Sequence, residues 1–236
     1  MFTIFTIPKP FKEKISIIQT NAIKSWQYLY PSSEIILFGD EIGISELATE
    51  IGVRHIKDIQ KNEFGTPLLS DAFKLVQKEA KNDLICYMNT DIILIPNRSP
   101  EEIIHIGVEI SKNGFLMVGK RINTDINYLI DFLNNSWKEN IKNQTLTEGK
   151  LQPPDLIDYF IFPKDFVTNM PQFAVGRPGW DNWMIYNARK KGAAVIDATS
   201  CFTAVHQNHD YRHIPSGDGK TYEGKEANIN RSMMKI

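Results

Sequence analysis

Short apolar runs separated by amphipathic stretches of helical period fill the first two thirds of the chain. This alternation restricts the fold more than any other feature. Phe2–Ile7 reads as a strand cut by Pro8 and Pro10, after which Ile15, Ile18, Ala22, Trp26 and Leu29 recur at helical spacing. Glu34–Phe38 is a second strand with Gly39 and Asp40 as its terminal turn; Ile44–Ile51 is a helix stopped by Gly52, and Val53–Ile56 a short strand. Leu68–Ala80 is a helix feeding the strand Leu84–Met88, which breaks at Asn89-Thr90-Asp91 and resumes as Ile92–Pro96. Ser99-Pro100-Glu101-Glu102 offers a capping serine, a first-position proline and acids against the dipole. That helix ends near Gly114, before the strand Phe115–Gly119. Strands alternating with helices imply βαβ units, hence an α/β chain with a mostly parallel sheet.

After Lys120 the pattern loosens. Asp125–Lys142 is expected as a helix with Tyr128, Leu129, Phe132, Leu133 and Trp137 on its buried side, and Gln144–Pro154 as a loop. Asp158–Phe162 reads as a strand, Asp181–Lys191 as a helix capped by Gly192, Ala194–Ile196 as a strand, and Cys201–Val205 as β-like. The stretch from Arg212 onward is polar, contains glycine and reads as a loop-rich tail.

At 236 residues, 42% hydrophobic and 11% aromatic, the chain suffices for one large domain with a packed core. A formal charge of −1 gives no general attraction to nucleic acid or to an anionic membrane. Cys86 and Cys201 lie in apolar contexts without metal-type spacing; they read as reduced core residues, which fits a cytoplasmic compartment. No run approaches the ~18 apolar residues that a membrane span needs.

The chemistry concentrates at a few strand ends. Open α/β sheets bind ligands at the carboxyl edge of their strands, where Asp91 falls. A diphosphate requires a hard divalent cation with oxygen ligands, and Asp91 supplies one, with Asn89 as a hydrogen-bonding neighbour. The alternative is an ordinary capping acid. His206 and His209 follow the β-like Cys201–Val205 run; one of them, His206 first, could complete a metal shell, and a nitrogen ligand favours Mn²⁺ over Mg²⁺. Gly176–Trp183 is a rigid loop that delivers Asp181, flanked by Trp180 and Trp183, into a helix start. Asp181 reads both as a helix cap and as a base for a sugar hydroxyl. Asp71 reads as a ribose or sugar contact or as a first-turn acid. Thr6, Pro8 and Lys9 lie where a nucleotide base or ribose sits in a doubly wound sheet, or form a plain loop. Asp158, Tyr159, Trp180 and Trp183 would frame an acceptor, and Lys220, Lys225 or Arg231 in the tail could cover phosphates. Neither a G-x-x-x-x-G-K-[ST] loop nor G-x-G-x-x-G occurs, which disfavours ATPases and dinucleotide enzymes.

Phe5–Pro10, Leu37–Asp40, Asn62–Asp71, Asn89–Asp91, Gly176–Trp183 and His206–Tyr211 together resemble the GT-A fold glycosyltransferases. The match is closer to a group of small GT-A proteins from bacteria, cyanobacteria and algal viruses. The resemblance implies a GT-A, Rossmann-like single domain over 1–211, its mostly parallel central sheet flanked by helices and joined by a smaller C-terminal acceptor-side sheet. Residues 1–120 would form the nucleotide-sugar half, 121–211 the acceptor half and 212–236 a loop-rich tail. It implies a metal held at Asp91 with His206 or His209, and a donor site of Thr6, Pro8, Lys9, Asp40, Asp71, Asn89, Thr90 and Asp91. The donor is expected to be a UDP-sugar, the cofactor Mn²⁺ or Mg²⁺, and the acceptor a hydroxyl activated by Asp181 with inversion. Asn89 departs from the D-x-D pattern, so it would contact the donor sugar or ribose rather than lend charge to the metal. The rivals are a non-catalytic or degenerate carbohydrate-binding domain, and a sugar-phosphate nucleotidyltransferase. The latter needs a Gly-rich, Arg-containing loop after the first strand, and Phe11–Ile18 has none.

Overall fold

Strands buried on both faces read as unbroken apolar runs rather than as alternating ones, and two such runs form the middle of the main sheet. They are β1 (Thr3–Thr6) and β4 (Leu84–Met88), buried along their whole length. The computed structural model describes residues 1–99, 102, 103, 105, 109, 113–209 and 222–234. Around the two middle strands come α1 (Glu13–Leu29), β2 (Glu34–Phe38), α2 (Ile44–Ile51), β3 (Arg54–Ile56) and α3 (Leu69–Glu79). Beyond β4 follow β5 (Ile92–Pro96), β6 (Phe115–Val118), β7 (Arg121–Thr124), α4 (Trp137–Glu148) and β8 (Lys150–Leu151). β9 (Tyr159–Pro163), α5 (Trp180–Lys190), β10 (Ala194–Asp197), β11 (Phe202–Gln207) and α6 (Lys225–Met233) complete the order.

The main sheet has seven strands in the order β10-β6-β9-β4-β1-β2-β3, all parallel except β9, which runs against β4 and β6. Period-two alternation divides its side chains between two cores. Phe2, Ile4, Cys86 and Met88 meet Trp26 of α1 on one face, while Phe5, Ile85 and Tyr87 meet Phe73 of α3 and Trp180 of α5 on the other. A second sheet, β5-β11-β7-β8, closes over a third cluster of Ile93, Ile95, Ile126, Trp137 and Val205. The chain passes from the first sheet to the second within Asn89-Thr90-Asp91, so the acidic turn is the junction between the two. Helix α1 covers the outer edge of β5: Trp26 Nε1 donates to Ile92 O at 2.9 Å, and the Tyr30 hydroxyl to Leu94 O at 2.6 Å.

The α/β expectation holds, and β2, α2 and β4 have the expected bounds. The smaller sheet is not confined to the C-terminal half, because β5 comes from the first. The helix expected over Asp125–Lys142 begins only at Trp137. Asp131 and Asn134 turn the chain instead, their side chains accepting the Leu133 N–H at 3.0 Å and the Ser136 N–H at 2.9 Å. Asn21 of α1 pins this stretch by bonding Tyr128 O at 2.9 Å and Ile130 N at 2.9 Å. Tyr128, Leu129 and Leu133 are therefore exposed, and only Trp137 has the burial expected of that face. Part of the stretch expected as a loop, Gln144–Pro154, is the end of α4 and β8, which pairs with the unanticipated β7. The tail carries α6. Ser99 and Glu102 form the reciprocal cap, at 3.2 and 3.3 Å, but most of the helix expected after them lies outside the described residues. Both cysteines are free. Among the described residues no helix is long and apolar enough to cross a membrane.

Candidate functional site

Strand register assembles the metal-competent cluster. β11 pairs antiparallel with β5 so that His206 stands opposite Ile92, and the Gln207 N–H donates to Asp91 O at 3.0 Å. His206 thus faces the acid at the sheet junction, and the next two residues bring His209 in beside it. Asp91 Oδ2 lies 3.1 Å from His209 Nε2, 3.6 Å from Lys9 Nζ and 3.9 Å from His206 Nε2. One ligand atom from each of Asp91, His206 and His209 falls within 4.8 Å of the others. Asp91 Oδ1 and His206 Nδ1 are buried without a hydrogen-bond partner. One carboxylate oxygen, two imidazole nitrogens and an orphaned carboxylate oxygen fit a divalent ion of Mn²⁺ type. Burial pushes the Asp91 carboxyl up, but His206, the His209 hydrogen bond and Lys9 outweigh it and hold it well below the usual carboxylate range. Burial pushes the His206 imidazole down, against the pull of Asp91 and Asp158, which favours the neutral ring a metal requires.

Asn89 is fixed by β9. Its N–H donates to Asp158 O at 2.9 Å and its Nδ2 to Asp158 Oδ1 at 2.6 Å, while Asp158 Oδ2 takes Arg121 Nη1 at 2.6 Å. Gln19 of α1 holds the 8–10 loop, bonding Lys9 N and O at 2.7 and 2.8 Å, and also receives the Thr90 hydroxyl at 2.8 Å. Lys9, Asn89, Thr90, Arg121 and Asp158 line one cleft of about 360 Å³ together with Thr6, Pro8, Tyr87, Phe64, Arg177, Trp180, Asp181 and Tyr222. The Thr6 hydroxyl is buried there without a partner.

Asp181 enters the cleft from the first turn of α5. The cap of that helix is Gly179, at φ +107°, so Asp181 is not the cap expected from the sequence. Its Oδ1 accepts the Asn182 N–H at 2.8 Å. Burial raises the Asp181 carboxyl and the Asp158 charge adds to this, against backbone hydrogen bonds. A raised carboxyl pKa suits a proton acceptor.

Of the residues singled out by sequence, Thr6, Pro8, Lys9, Asn89, Thr90, Asp91, Asp158, Trp180, Asp181, His206 and His209 line this cleft. Four do not. Asp40 pairs with Lys61 at 2.6 Å, and Asp71 accepts the Gln60 N–H at 2.8 Å. Tyr159 is buried in the α1-side core because β9 alternation turns it away from Asp158. Trp183, one turn beyond Trp180, packs on Phe173 at 5.9 Å between centroids. Lys225 lies over the Phe64 ring and Arg231 bonds Tyr222 O and Asn228 Oδ1, so neither lines the cleft; Asp210, Tyr211 and Lys220 lie outside the described residues. Sequence reasoning missed the roles of Arg121 and of the Arg177–Glu226 pair. The one available signal was an arginine opening a short alternating run, Arg121–Thr124.

No family model matches the sequence, and no curated protein matches it either. Solved structures do. M. tuberculosis glucosyl-3-phosphoglycerate synthase superposes with a TM-score of 0.54 at 11% identity, covering 99% of this chain and 80% of that one. S. aureus TarS 1–349 in complex with UDP-GlcNAc superposes with a TM-score of 0.51 at 11% identity over 89% of this chain. This chain spans 60% of that TarS chain. The fold is thus that of the GT-A glycosyltransferase structures: an α/β chain with a mixed, mostly parallel central sheet and a smaller second sheet.

Proposed function

We propose that this protein is a metal-dependent glycosyltransferase that moves a sugar from a UDP-sugar to a hydroxyl acceptor. The observation that carries the reading is the buried Asp91–His206–His209 cluster at the carboxyl edge of the sheet, opening on the cleft walled by the β1 loop. The likeness to TarS, whose structure holds UDP-GlcNAc, supports the choice of donor. Asp91, His206 and His209 would hold Mn²⁺ or Mg²⁺, and such an ion supplies positive charge for a departing diphosphate.

The chain's own residues account for the rest. Thr6, Pro8 and Lys9 bind the nucleotide end, and Lys9 adds a cation beside the phosphates. Asn89, aimed by Asp158, hydrogen-bonds the donor sugar or ribose. Trp180 offers an aromatic wall to the acceptor. Asp181 takes the proton of the acceptor hydroxyl as its oxygen bonds the anomeric carbon; the bond to the diphosphate oxygen breaks and the electron pair leaves with UDP. A single displacement from the face opposite the diphosphate gives inversion at the anomeric carbon.

The experiment is UDP release from UDP-glucose, UDP-galactose and UDP-GlcNAc with Mn²⁺, alongside thermal shift with UDP. Mn²⁺-dependent UDP binding together with UDP release is expected. Asp181→Asn should keep the thermal shift and lose about 10²–10⁴-fold in release. Sugar binding without UDP release at any metal concentration would favour a non-catalytic domain instead.

A further inference from the structure

The last helix holds the acceptor side of the cleft from behind. Glu226, in the first turn of α6, accepts Arg177 Nε at 3.0 Å, Arg177 Nη2 at 2.5 Å and Asn62 Nδ2 at 2.8 Å. The pair is nearly enclosed, with side chains 13% and 12% exposed. Asn62 in turn closes the loop from Lys61 to Pro67, its Oδ1 accepting the Phe64 and Thr66 N–H groups at 3.0 and 2.9 Å. One turn further along α6, Asn230 binds both backbone polar groups of Ala174, at 3.0 and 3.1 Å. Met234 lies against Gly179, where a β-carbon would come within 2.5 Å of its Sδ. Burial pushes the Glu226 carboxyl up, and hydrogen bonds from Thr66, Asn62 and Arg177 outweigh it.

The two loops meet at one isolated bridge, Leu68 opposite Ala174, with the Val175 N–H donating to Pro67 O at 3.0 Å; beyond it they share one carboxylate. The Phe64 loop and the Arg177–Trp180 loop both face the cleft, and the second leads directly into Asp181. We infer that Glu226 is a positioning residue, which locks the two loops through Asn62 and Arg177 and so fixes Asp181 relative to the donor end of the cleft. Arg177 Nε and Nη2 converge on Glu226 Oε2 while Oε1 takes Asn62, so each carboxylate oxygen holds one loop, the Arg177 side by charge-assisted bonds. Catalysis is sensitive to such placement, since about 1 Å of misplacement costs on the order of 10²-fold. The inference rests on the glycosyltransferase reading above.

A double-mutant cycle tests it, with Glu226→Gln chosen because it keeps the side-chain volume. Turnover is read as UDP release from whichever of the three UDP-sugars the wild type cleaves fastest, and binding as the Kd of UDP with Mn²⁺. Glu226→Gln is expected to lower kcat about tenfold and leave the Kd within about twofold. In an Arg177→Ala background it should lower kcat no further, because the residue acts through Arg177. The same loss in both backgrounds, or parallel losses in kcat and Kd, would overturn the inference. If the wild type releases no UDP, the functional reading fails while the lock remains open to measurement. Faster backbone hydrogen exchange at Phe64–Thr66 and Ala174–Trp180 in Glu226→Gln would still support it, and unchanged exchange would refute it.

Discussion

The two ends of the cleft are held by different kinds of structure. At the donor end, main-chain bonds set the geometry: Gln207 N–H to Asp91 O at 3.0 Å and Asn89 N–H to Asp158 O at 2.9 Å tie β11, the acidic turn and β9 together. At the acceptor end, main-chain bonds hold the Gly/Pro-rich loop only at its start, where the Val175 N–H donates to Pro67 O at 3.0 Å; from Arg177 to Asp181 side chains of a helix more than forty residues away clasp it. A backbone ladder survives most substitutions, because every residue type except proline supplies the same N–H and C=O. A side-chain clasp depends on particular residues. The donor end should therefore lose function only when a ligand itself is removed, and the acceptor end whenever a support is removed.

The strongest challenge to this contrast is Asp91→Ala. Outer-shell partners of a bound metal already contribute about 10–100-fold in affinity, so loss of the carboxylate should weaken Mn²⁺-dependent UDP binding by more than about 100-fold. Thermal shift with UDP, with and without Mn²⁺, reads this directly. An undiminished metal-dependent shift would mean that the ion binds elsewhere.

Asp158→Asn comes next, because Asp158 serves both ends. Its pair with Arg121 has side chains only 8% and 11% exposed, so removing the carboxylate strips a nearly buried cation of its facing charge. A cost of about 3 kcal/mol is expected, lowering the melting temperature by roughly 6–12 °C. Asparagine can still accept from Asn89 Nδ2, and the main-chain bond to Asn89 is unaffected. The folded variant should accordingly bind UDP with Mn²⁺ within about threefold of wild type. A larger loss would show that the Asp158 side chain, not the ladder, sets the donor end.

The same contrast explains what the sequence disclosed. Asp91 was legible because an apolar run long enough for a strand ended there, and His206 because another run ended at Val205. Strand ends are local features, and strand pairing joined the two. Arg121 was not legible, since a single arginine at the start of a four-residue strand looks like surface until β9 brings Asp158 against it. Trp180 and Trp183 looked equivalent as aromatic neighbours of an acid. Helix phase separates them, leaving only Trp180 on the cleft wall. The Asp125–Lys142 helix was misread because its apolar spacing concealed two Asx turns that compete locally with helix. The Glu226 clasp joins residues 49 and 164 positions apart, and no sequence window spans such contacts.

Asp181 offers a finer measure of the acceptor end. Its folded pKa is raised above the unfolded value, so its contribution to stability is fully present below the unfolded pKa and is lost as pH rises through the folded one. At neutral pH the ionised carboxylate is a burden on the fold that Asp181→Asn removes. That variant should melt above wild type at pH 7, with the gap closing as pH falls towards about 4. UDP release by wild type should also decline on the acid side at a pH above the ordinary aspartate range, as a base with a raised pKa requires. A gap that does not change with pH would show that Asp181 is exposed and ordinary.

The smallest effect on activity is expected from Tyr159→Phe, and it separates core from cleft. The Tyr159 ring is wholly buried against Phe202, at 5.6 Å between centroids, and its hydroxyl has no hydrogen-bond partner. Burying an unpartnered hydroxyl costs about 1–3 kcal/mol, and phenylalanine keeps the ring while removing that group. Tyr159→Phe should leave UDP release and its KM unchanged and raise stability by about 1 kcal/mol, or roughly 2–4 °C in melting temperature. An acceptor-contacting tyrosine would behave in the opposite way, with KM rising and stability unmoved. Its neighbour Asp158 takes the cleft side because successive residues of β9 point to opposite faces, so one position in register decides which of the two meets substrate.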